Sequence, residues 1–238
     1  RQDSGNDIPR RGLVVCDSLF EEKFWCERVF ANMARALAQK GITVLIFDYY
    51  GYANSSGRSE DLSVQGILRD INDACDLIRG EGVDSIGLLG IRWGADPACR
   101  VASERRDISS LFLVKPITEW RKQLMQSLRA NVAGQYAIFK KAVMTREDII
   151  NELERWGECT SAGYRMNNIE GYLFSAEFWR ESSDMVLPES LPGHLSGNAV
   201  FHIPEREGKP PAAESKIVDS FRENGTECEL VDIQEDNA

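Results

Sequence analysis

A glycine-flanked arginine follows one of the apolar segments of this sequence. Gly90-Ile91-Arg92-Trp93-Gly94 comes directly after Ser85-Ile86-Gly87-Leu88-Leu89, an apolar run typical of a buried strand. The Arg92 guanidinium stays protonated far above neutral pH, so it can act neither as a nucleophile nor as a general base. Its planar fork suits a carboxylate, a phosphate or an acidic sugar group. We interpret Arg92 as a binding residue, and Trp93 either as a packing residue or as a ligand contact.

A second set of polar residues follows the first predicted strand, Gly12-Leu13-Val14-Val15-Cys16. The carboxyl ends of parallel strands meet at one edge of a sheet, so we expect this loop to lie beside Arg92. An isolated buried guanidinium is costly, which predicts that Glu21 or Glu22 pairs with Arg92. The predicted ligand pocket combines this loop with the turn: Asp17, Ser18, Leu19, Glu21, Glu22, Arg92 and Trp93.

The set of residues that a serine-hydrolase mechanism requires cannot be identified in the sequence, and we predict no catalytic residue. Such a mechanism needs a nucleophile, an imidazole beside it, an acid and donors for the oxyanion. His202 lies within a predicted strand and His194 in a loop, and both are interpreted as structural. Glu205 and Glu207 are interpreted as a solvated loop. Ser18 stays open as a displaced nucleophile, although the sequence places no base beside it.

Composition and charge exclude several classes of function. The sequence has 28 basic and 38 acidic residues and a formal net charge of −10, which repels nucleic acid and anionic membranes. No apolar run approaches the roughly 18 residues of a membrane span. Its six cysteines are scattered and it has two histidines, so we predict no metal site, no disulfide framework and no cofactor. Unpaired thiols are typical of a reducing compartment and predict a cytoplasmic protein.

Strand-length apolar runs alternate with segments of helical period, which predicts an α/β fold with a mainly parallel sheet covered on both faces by helices. The alternation stops at residue 117 and resumes after residue 192. We therefore predict a core of residues 1–116 and 193–238, and a helical insertion of residues 117–192. We expect the insertion to form a lid over the carboxyl ends of the strands, where such folds bind ligands.

The order of these elements resembles the α/β-hydrolase superfamily, with Gly90-Ile91-Arg92-Trp93-Gly94 in place of its G-x-S-x-G elbow. The same motif, continued by Ala95, resembles the hydrolase-like proteins associated with bacterial exosortase systems. Phe20-Glu21-Glu22 and Ala162-Gly163-Tyr164 also resemble segments of that group. The superfamily's first strands, its histidine after the last strand and its terminal helix have no counterparts here. That pattern is expected of a fragment of the fold.

Two functions of different class follow from these residues. The first is a non-catalytic binding or accessory protein that takes a small anionic or acyl ligand at Arg92. The alternative is an enzyme that hydrolyses ester or thioester bonds with residues that the sequence does not display together. A less specific third possibility is a scaffold whose insertion docks another protein. A nucleic acid partner and a membrane span are not expected.

Overall fold

The computed structural model describes residues 9–203 and 212–233, apart from the side chains of Trp25 and Cys26. In chain order its helices and strands are β1 (Arg11–Cys16), α1 (Glu22–Ala38), β2 (Ile42–Ile46), α2 (Val64–Gly80), β3 (Ser85–Ile91), α3 (Ala95–Glu104), β4 (Ile108–Val114), α4 (Trp120–Phe139), α5 (Arg146–Trp156), β5 (Thr160–Ser161), β6 (Tyr164–Arg165), β7 (Asn168–Ile169), β8 (Tyr172–Leu173), α6 (Ala176–Glu181), β9 (Gly197–His202), α7 (Ala212–Glu223) and β10 (Glu229–Asp232). Within the described ranges, no helix is both long and apolar enough to cross a membrane.

The central sheet has six parallel strands in the order β10-β9-β4-β3-β1-β2. Successive side chains of a strand point to opposite faces, so each central strand contributes to two core clusters. Val14 and Leu88 face the cluster formed with α2 and α3. Leu13 and Leu89 face the smaller cluster, which includes Phe30 of α1. The predicted α/β fold, with helices on both faces of a parallel sheet, is confirmed.

Two helices show how local sequence sets the element boundaries. The Ser63 hydroxyl accepts a hydrogen bond from the Gly66 amide at the start of α2. The buried residues of α2 recur at helical spacing: Val64, Ile67, Ile71, Ala74, Cys75 and Ile78. Thr145 and Asp148 form a capping box at the start of α5.

The insertion contains two β-hairpins, so the prediction of a wholly helical segment is wrong. β5 pairs with β6 and β7 pairs with β8, both antiparallel. Each hairpin turns on two residues with positive φ, Ala162-Gly163 and Glu170-Gly171, which matches the twist of adjacent strands. Strands of two residues are too short to show an alternating pattern in sequence. In the sequence, only the two glycine-containing turns could have indicated the hairpins.

The insertion packs on loops that follow the carboxyl ends of β1, β2 and β3. Its two ends are joined where Leu187 N–H donates to the Thr118 carbonyl at 2.9 Å. Glu181 accepts from the Val64 amide at 2.6 Å, and Arg165 pairs with Glu60 at 2.8 Å. These contacts place the insertion at the carboxyl edge of the sheet. Its action as a lid stays a prediction.

The described cysteines are free and buried: Cys16, Cys75, Cys99, Cys159 and Cys228. Burial raises the pKa of all five thiols, to about 12 for Cys75 and about 11 for Cys159 and Cys228. A thiol reacts as its thiolate, so burial and a high pKa both suppress modification.

We therefore expect a Cys26→Ser variant to show no rapidly reacting thiol in the native state and five thiols after unfolding without reductant. Titration with Ellman's reagent gives both counts. Fewer than five thiols in the unfolded chain would mean that disulfides form, and rapid labelling of the native protein would contradict the burial.

Candidate functional site

Arg92 occupies a tight turn between β3 and α3. Its φ is +51°, a left-handed conformation that is uncommon for a residue with a side chain. A Cβ atom on Gly90 would lie 2.7 Å from the Ala95 Cα atom, and one on Gly94 would lie 2.1 Å from the Cys16 carbonyl oxygen. The turn therefore needs glycine at both positions. Residues 90–94 form the predicted elbow.

The Arg92 guanidinium forms a two-point ion pair with Glu22, in the first turn of α1. Arg92 Nε donates to Glu22 Oε2 at 3.0 Å, and a terminal nitrogen donates to Oε1 at 2.8 Å. Ser18 Oγ donates to the same Oε2 atom at 2.7 Å. The predicted pairing of Arg92 with Glu21 or Glu22 is confirmed for Glu22. We refer to Ser18, Glu22 and Arg92 as the Arg92 cluster.

The Arg92 cluster is not deeply buried, contrary to expectation. The side chains of Arg92 and Glu22 are 34% and 33% exposed. Arg92 also lies within 3.4 Å of the Lys115 carbonyl oxygen, to which it donates. Partial exposure weakens an ion pair through solvent screening. The two-point geometry still fixes the orientation of the guanidinium relative to the carboxylate. A ligand in solvent therefore has access to part of the guanidinium.

A buried network of charges supports the loop between β1 and α1. The Asp17 carboxylate accepts from the Ser18 amide at 2.7 Å and lies 3.9 Å from Lys23 Nζ. Lys23 also pairs with Asp48, which follows β2. Burial raises the pKa of Asp17 and lowers that of Lys23, while their attraction opposes both shifts. Lys23 and Asp48 were not predicted as site residues, because a single lysine on a helix is usually solvated.

An aromatic layer fills the space between the elbow and the insertion. Trp93 is 1% exposed and packs edge-on against Phe20 and Trp120, with ring centroids 5.3 and 5.2 Å apart. Phe178 of α6 contacts Phe20 and Trp120. Leu19 is also buried, at 1% exposed. The packing interpretation of Trp93 is therefore supported by direct contacts, and its ligand contact stays a prediction.

Neither histidine is placed beside the elbow. His194 Nε2 lies 3.0 Å from the Arg105 carbonyl oxygen, just before β4 begins and thus at the amino edge of the sheet. His202 ends β9, two strands from β3, and its Nδ1 atom lies 3.4 Å from the Glu214 carboxylate. Glu205 and Glu207 lie outside the described residues. The Arg92 cluster thus contains a serine and a carboxylate without an imidazole.

Asp96, in the first turn of α3, carries the most unusual carboxylate near the elbow. It is fully buried, and burial raises its pKa to about 6. Arg100 Nε donates to Asp96 Oδ1 at 2.5 Å, and the same guanidinium binds the Asp184 carbonyl of the insertion. Among the described residues no hydrogen-bond partner reaches Asp96 Oδ2. Asp96 was not predicted as a site residue, because an Asp in the first turn of a helix is common and does not by itself indicate a site.

The raised pKa of Asp96 predicts a pH-dependent stability. An acid whose pKa is higher in the folded than in the unfolded chain binds protons more tightly when the chain is folded. The contribution of Asp96 to the free energy of unfolding therefore falls as the pH rises from about 4 to above 6. We expect Asp96→Asn to become more stable relative to wild type between pH 4.5 and 7.5, by on the order of 2 kcal/mol. Urea unfolding of both proteins at the two pH values measures this change.

Asp148→Asn is the matched control, because the backbone and hydroxyl of Thr145 lower the pKa of Asp148 and its titration lies below this pH window. Its stability relative to wild type should be the same at both pH values. A pH-independent effect of Asp96→Asn would contradict the raised pKa.

As a set, the predicted pocket residues stay a prediction. Four shallow surface grooves of about 300 to 480 Å³ occur in the described part of the chain, and Ser18, Arg92 and Trp93 line none of the four. Glu21 lines one of them, of about 370 Å³. Access to Arg92 is therefore through its exposed third rather than through these grooves.

The parallel sheet, the elbow after its central strand and the helices on both faces define an α/β hydrolase. Residues 25–182 match the family model described as serine aminopeptidase, S33. The chain belongs to this family, and the resemblance to α/β hydrolases is confirmed at that level. Membership of the exosortase-associated group is a finer prediction.

Solved structures of low sequence identity share the fold. Est1E from Butyrivibrio proteoclasticus, with ferulic acid bound, is 17% identical with a TM-score of 0.58, and the match covers 98% of this chain and 82% of that one. Mouse alpha/beta hydrolase domain-containing protein 10 is 18% identical with a TM-score of 0.58, over 94% and 80%. The bottromycin epimerase BotH is 12% identical with a TM-score of 0.56, over 95% and 83%. No curated protein matches the sequence.

Proposed function

We propose that this α/β hydrolase is a non-catalytic binding or accessory protein that receives the anionic or acyl group of a small ligand at Arg92. The observation that carries the proposal is the position of the Arg92 guanidinium, at the elbow and in contact with a carboxylate. The ion pair with Glu22 is an example of the kind of group that the Arg92 guanidinium binds, a carboxylate. A ligand carboxylate, phosphate or acyl oxygen would take the place of one Glu22 oxygen.

The motifs that resemble the exosortase-associated group support the same proposal. Glu22 belongs to the Phe20-Glu21-Glu22 segment, and it binds Arg92 of the elbow motif. Phe20 of that segment packs on Trp93 of the elbow. The two motifs therefore form one unit, which supports a common role. BotH, which shares this fold, is an epimerase, so the fold is not restricted to hydrolysis.

Two variants with opposite expected effects test the binding of an acyl or anionic group. Glu22→Gln removes the negative charge that competes with the ligand, so hexanoate should bind about 5-fold more tightly or better. Arg92→Ala should abolish the saturable binding, and neutral hexanamide should bind more weakly than hexanoate in the wild-type protein. Isothermal titration calorimetry measures all four affinities.

Glu158→Gln is the matched control, since Glu158 is exposed in the insertion, away from the elbow. It should leave the hexanoate affinity unchanged. Equal affinities of wild type and Arg92→Ala would contradict the proposal, as would weaker binding by Glu22→Gln.

One observation favours the alternative of an ester or thioester hydrolase. Ser18 Oγ donates to a carboxylate oxygen at 2.7 Å, which is the geometry of a nucleophile and its base. Glu22 is, however, already bound by Arg92 at both oxygens. A fluorophosphonate probe and short acyl esters test this function directly. Stoichiometric labelling that Ser18→Ala removes would establish the alternative, whereas the binding proposal predicts no labelling.

A further inference from the structure

An acidic groove with aromatic walls lies next to the Arg92 cluster. It has a volume of about 370 Å³ and is lined by Glu21, Phe24, Glu170 and Tyr172. Glu21 and Phe24 are at the start of α1, while Glu170 and Tyr172 belong to the β7–β8 hairpin of the insertion. The groove therefore joins the core to the insertion. We refer to these four residues as the acidic groove.

The walls of the acidic groove are held in place by the fold. Glu170 and Gly171 have φ values of +54° and +94° and form the two-residue turn of the hairpin. The Tyr172 and Phe24 rings are nearly parallel, with centroids 6.4 Å apart. Tyr172 also contacts the buried rings of Tyr52 and Phe20, at 5.5 and 6.4 Å. The two aromatic faces are thus fixed relative to the two carboxylates.

Two carboxylates, those of Glu21 and Glu170, line the acidic groove. Burial raises the pKa of Glu170, and the carboxylates of Glu21 and Glu22 raise it further. The pKa of Tyr172 is raised by burial and by Glu21 and Glu170. Arg92 pairs with Glu22, whereas neither Glu21 nor Glu170 takes part in an ion pair within the described ranges. The groove thus has unneutralised negative charge beside aromatic faces, the combination that attracts an organic cation.

Glu170 also lines a second, partly apolar groove, whose lining includes Arg165 in its ion pair with Glu60. The second groove, of about 300 Å³, runs along α4, and its apolar lining includes Ala130, Ile138, Phe139, Tyr164 and Met166. The side chains of two polar residues in this lining make structural hydrogen bonds: Asn131 donates to the Met166 carbonyl, and Gln135 accepts from the Met144 amide. Ile138 and Tyr164 are more than half exposed. The charged groove and the apolar groove together match an amphiphilic ligand.

We propose that the acidic groove binds an organic cation, a protonated amine or quaternary ammonium group whose apolar body extends along α4. The exposed part of the Phe24 ring, beside Tyr172, contacts the cation, and Glu21 and Glu170 neutralise its charge. The apolar body covers exposed side chains of α4 and the β5–β6 hairpin. This site does not depend on the binding of an anionic or acyl group at Arg92.

Calorimetric titration with hexyltrimethylammonium chloride tests the proposal, with hexanol as the neutral probe of similar length. The cation should bind at least about 10-fold more tightly than hexanol, and 0.5 M NaCl should weaken it because the groove is exposed. The double variant Glu21→Gln and Glu170→Gln keeps the side-chain shapes and should lose at least about 10-fold in affinity. Phe24→Ala should also weaken binding.

Glu158→Gln serves again as the control and should bind the cation like wild type. Circular dichroism spectra that match wild type confirm that the variants are folded. Equal binding of hexanol and the cation, an unchanged affinity in the double variant, or the absence of saturable binding would each overturn the proposal. Because Arg92→Ala leaves the acidic groove intact, cation binding by that variant separates this site from the proposed function.

Discussion

Gly94→Ala should destabilise the protein by about 3 kcal/mol or more, because the space that an alanine methyl needs is occupied by backbone atoms. A Cβ atom on Gly94 would lie 2.1 Å from the Cys16 carbonyl oxygen and 2.6 Å from that of Asp17. These atoms belong to the end of β1 and the loop after it, so they cannot move without displacing the sheet edge. Urea unfolding followed by circular dichroism measures the loss, which corresponds to roughly 6 to 12 °C in Tm.

Gly134→Ala provides the matched control within a helix. Apart from the backbone of its own helix, no atom lies within 4 Å of a Cβ built on Gly134, which is in the interior of α4. Alanine favours a helix over glycine by about 1 kcal/mol, so this variant should be slightly more stable than wild type. If Gly94→Ala were as stable as Gly134→Ala, the close approach of the elbow to β1 would be incorrect.

Trp93→Ala should cost about 3 to 5 kcal/mol, the usual range for deleting a buried tryptophan side chain. Trp93 is 1% exposed and joins Phe20 of the core to Trp120 of the insertion. Its loss would leave a cavity between those two parts, where the surrounding rings can relax only in part. Equilibrium unfolding by circular dichroism gives the free energy of unfolding.

Trp156→Ala controls for the loss of a tryptophan as such. Trp156 is 65% exposed, and its main described contact is the Arg155 guanidinium over its ring at 4.7 Å. We expect a change within about 0.5 kcal/mol. Similar losses for the two variants would show that Trp93 does not pack between the elbow and the insertion.

The order of elements and the elbow could be predicted because both have strong local signals. Buried parallel strands are short apolar runs, and the helix α2 has its apolar residues at helical spacing. The two glycines of the elbow flank a residue that directly follows such a strand. Proximity of Glu22 to Arg92 then followed from the rule that carboxyl ends of parallel strands share an edge.

Other features depend on contacts that a single sequence does not display. Val29 is apolar and next to the buried Phe30 on α1, yet it is 62% exposed, while Lys23 on the same helix is only 6% exposed. Lys23 is buried because Asp17 and Asp48 arrive from two separate loops. The raised pKa of Asp96 likewise depends on its burial by the fold rather than on its neighbours in sequence.

The acidic groove was beyond sequence analysis for a similar reason. Glu21 and Glu170 are far apart in the chain, and a hairpin of two-residue strands brings them together. Glu21 was predicted as a possible partner of Arg92. The structure places Glu22 in that role and leaves Glu21 at the groove.

The proposed binding of a ligand's anionic or acyl group by Arg92 at the elbow can be followed in solution. Its most direct measurement is the Arg92 side-chain signal in the NMR spectrum of protein labelled with ¹⁵N-arginine, assigned with an Arg92→Lys variant. During titration with hexanoate, we predict a saturable shift of the Arg92 Nε–H signal and a smaller one with hexanamide. An Arg92 signal that stays constant while hexanoate binds elsewhere, or while no binding occurs, would contradict the proposal.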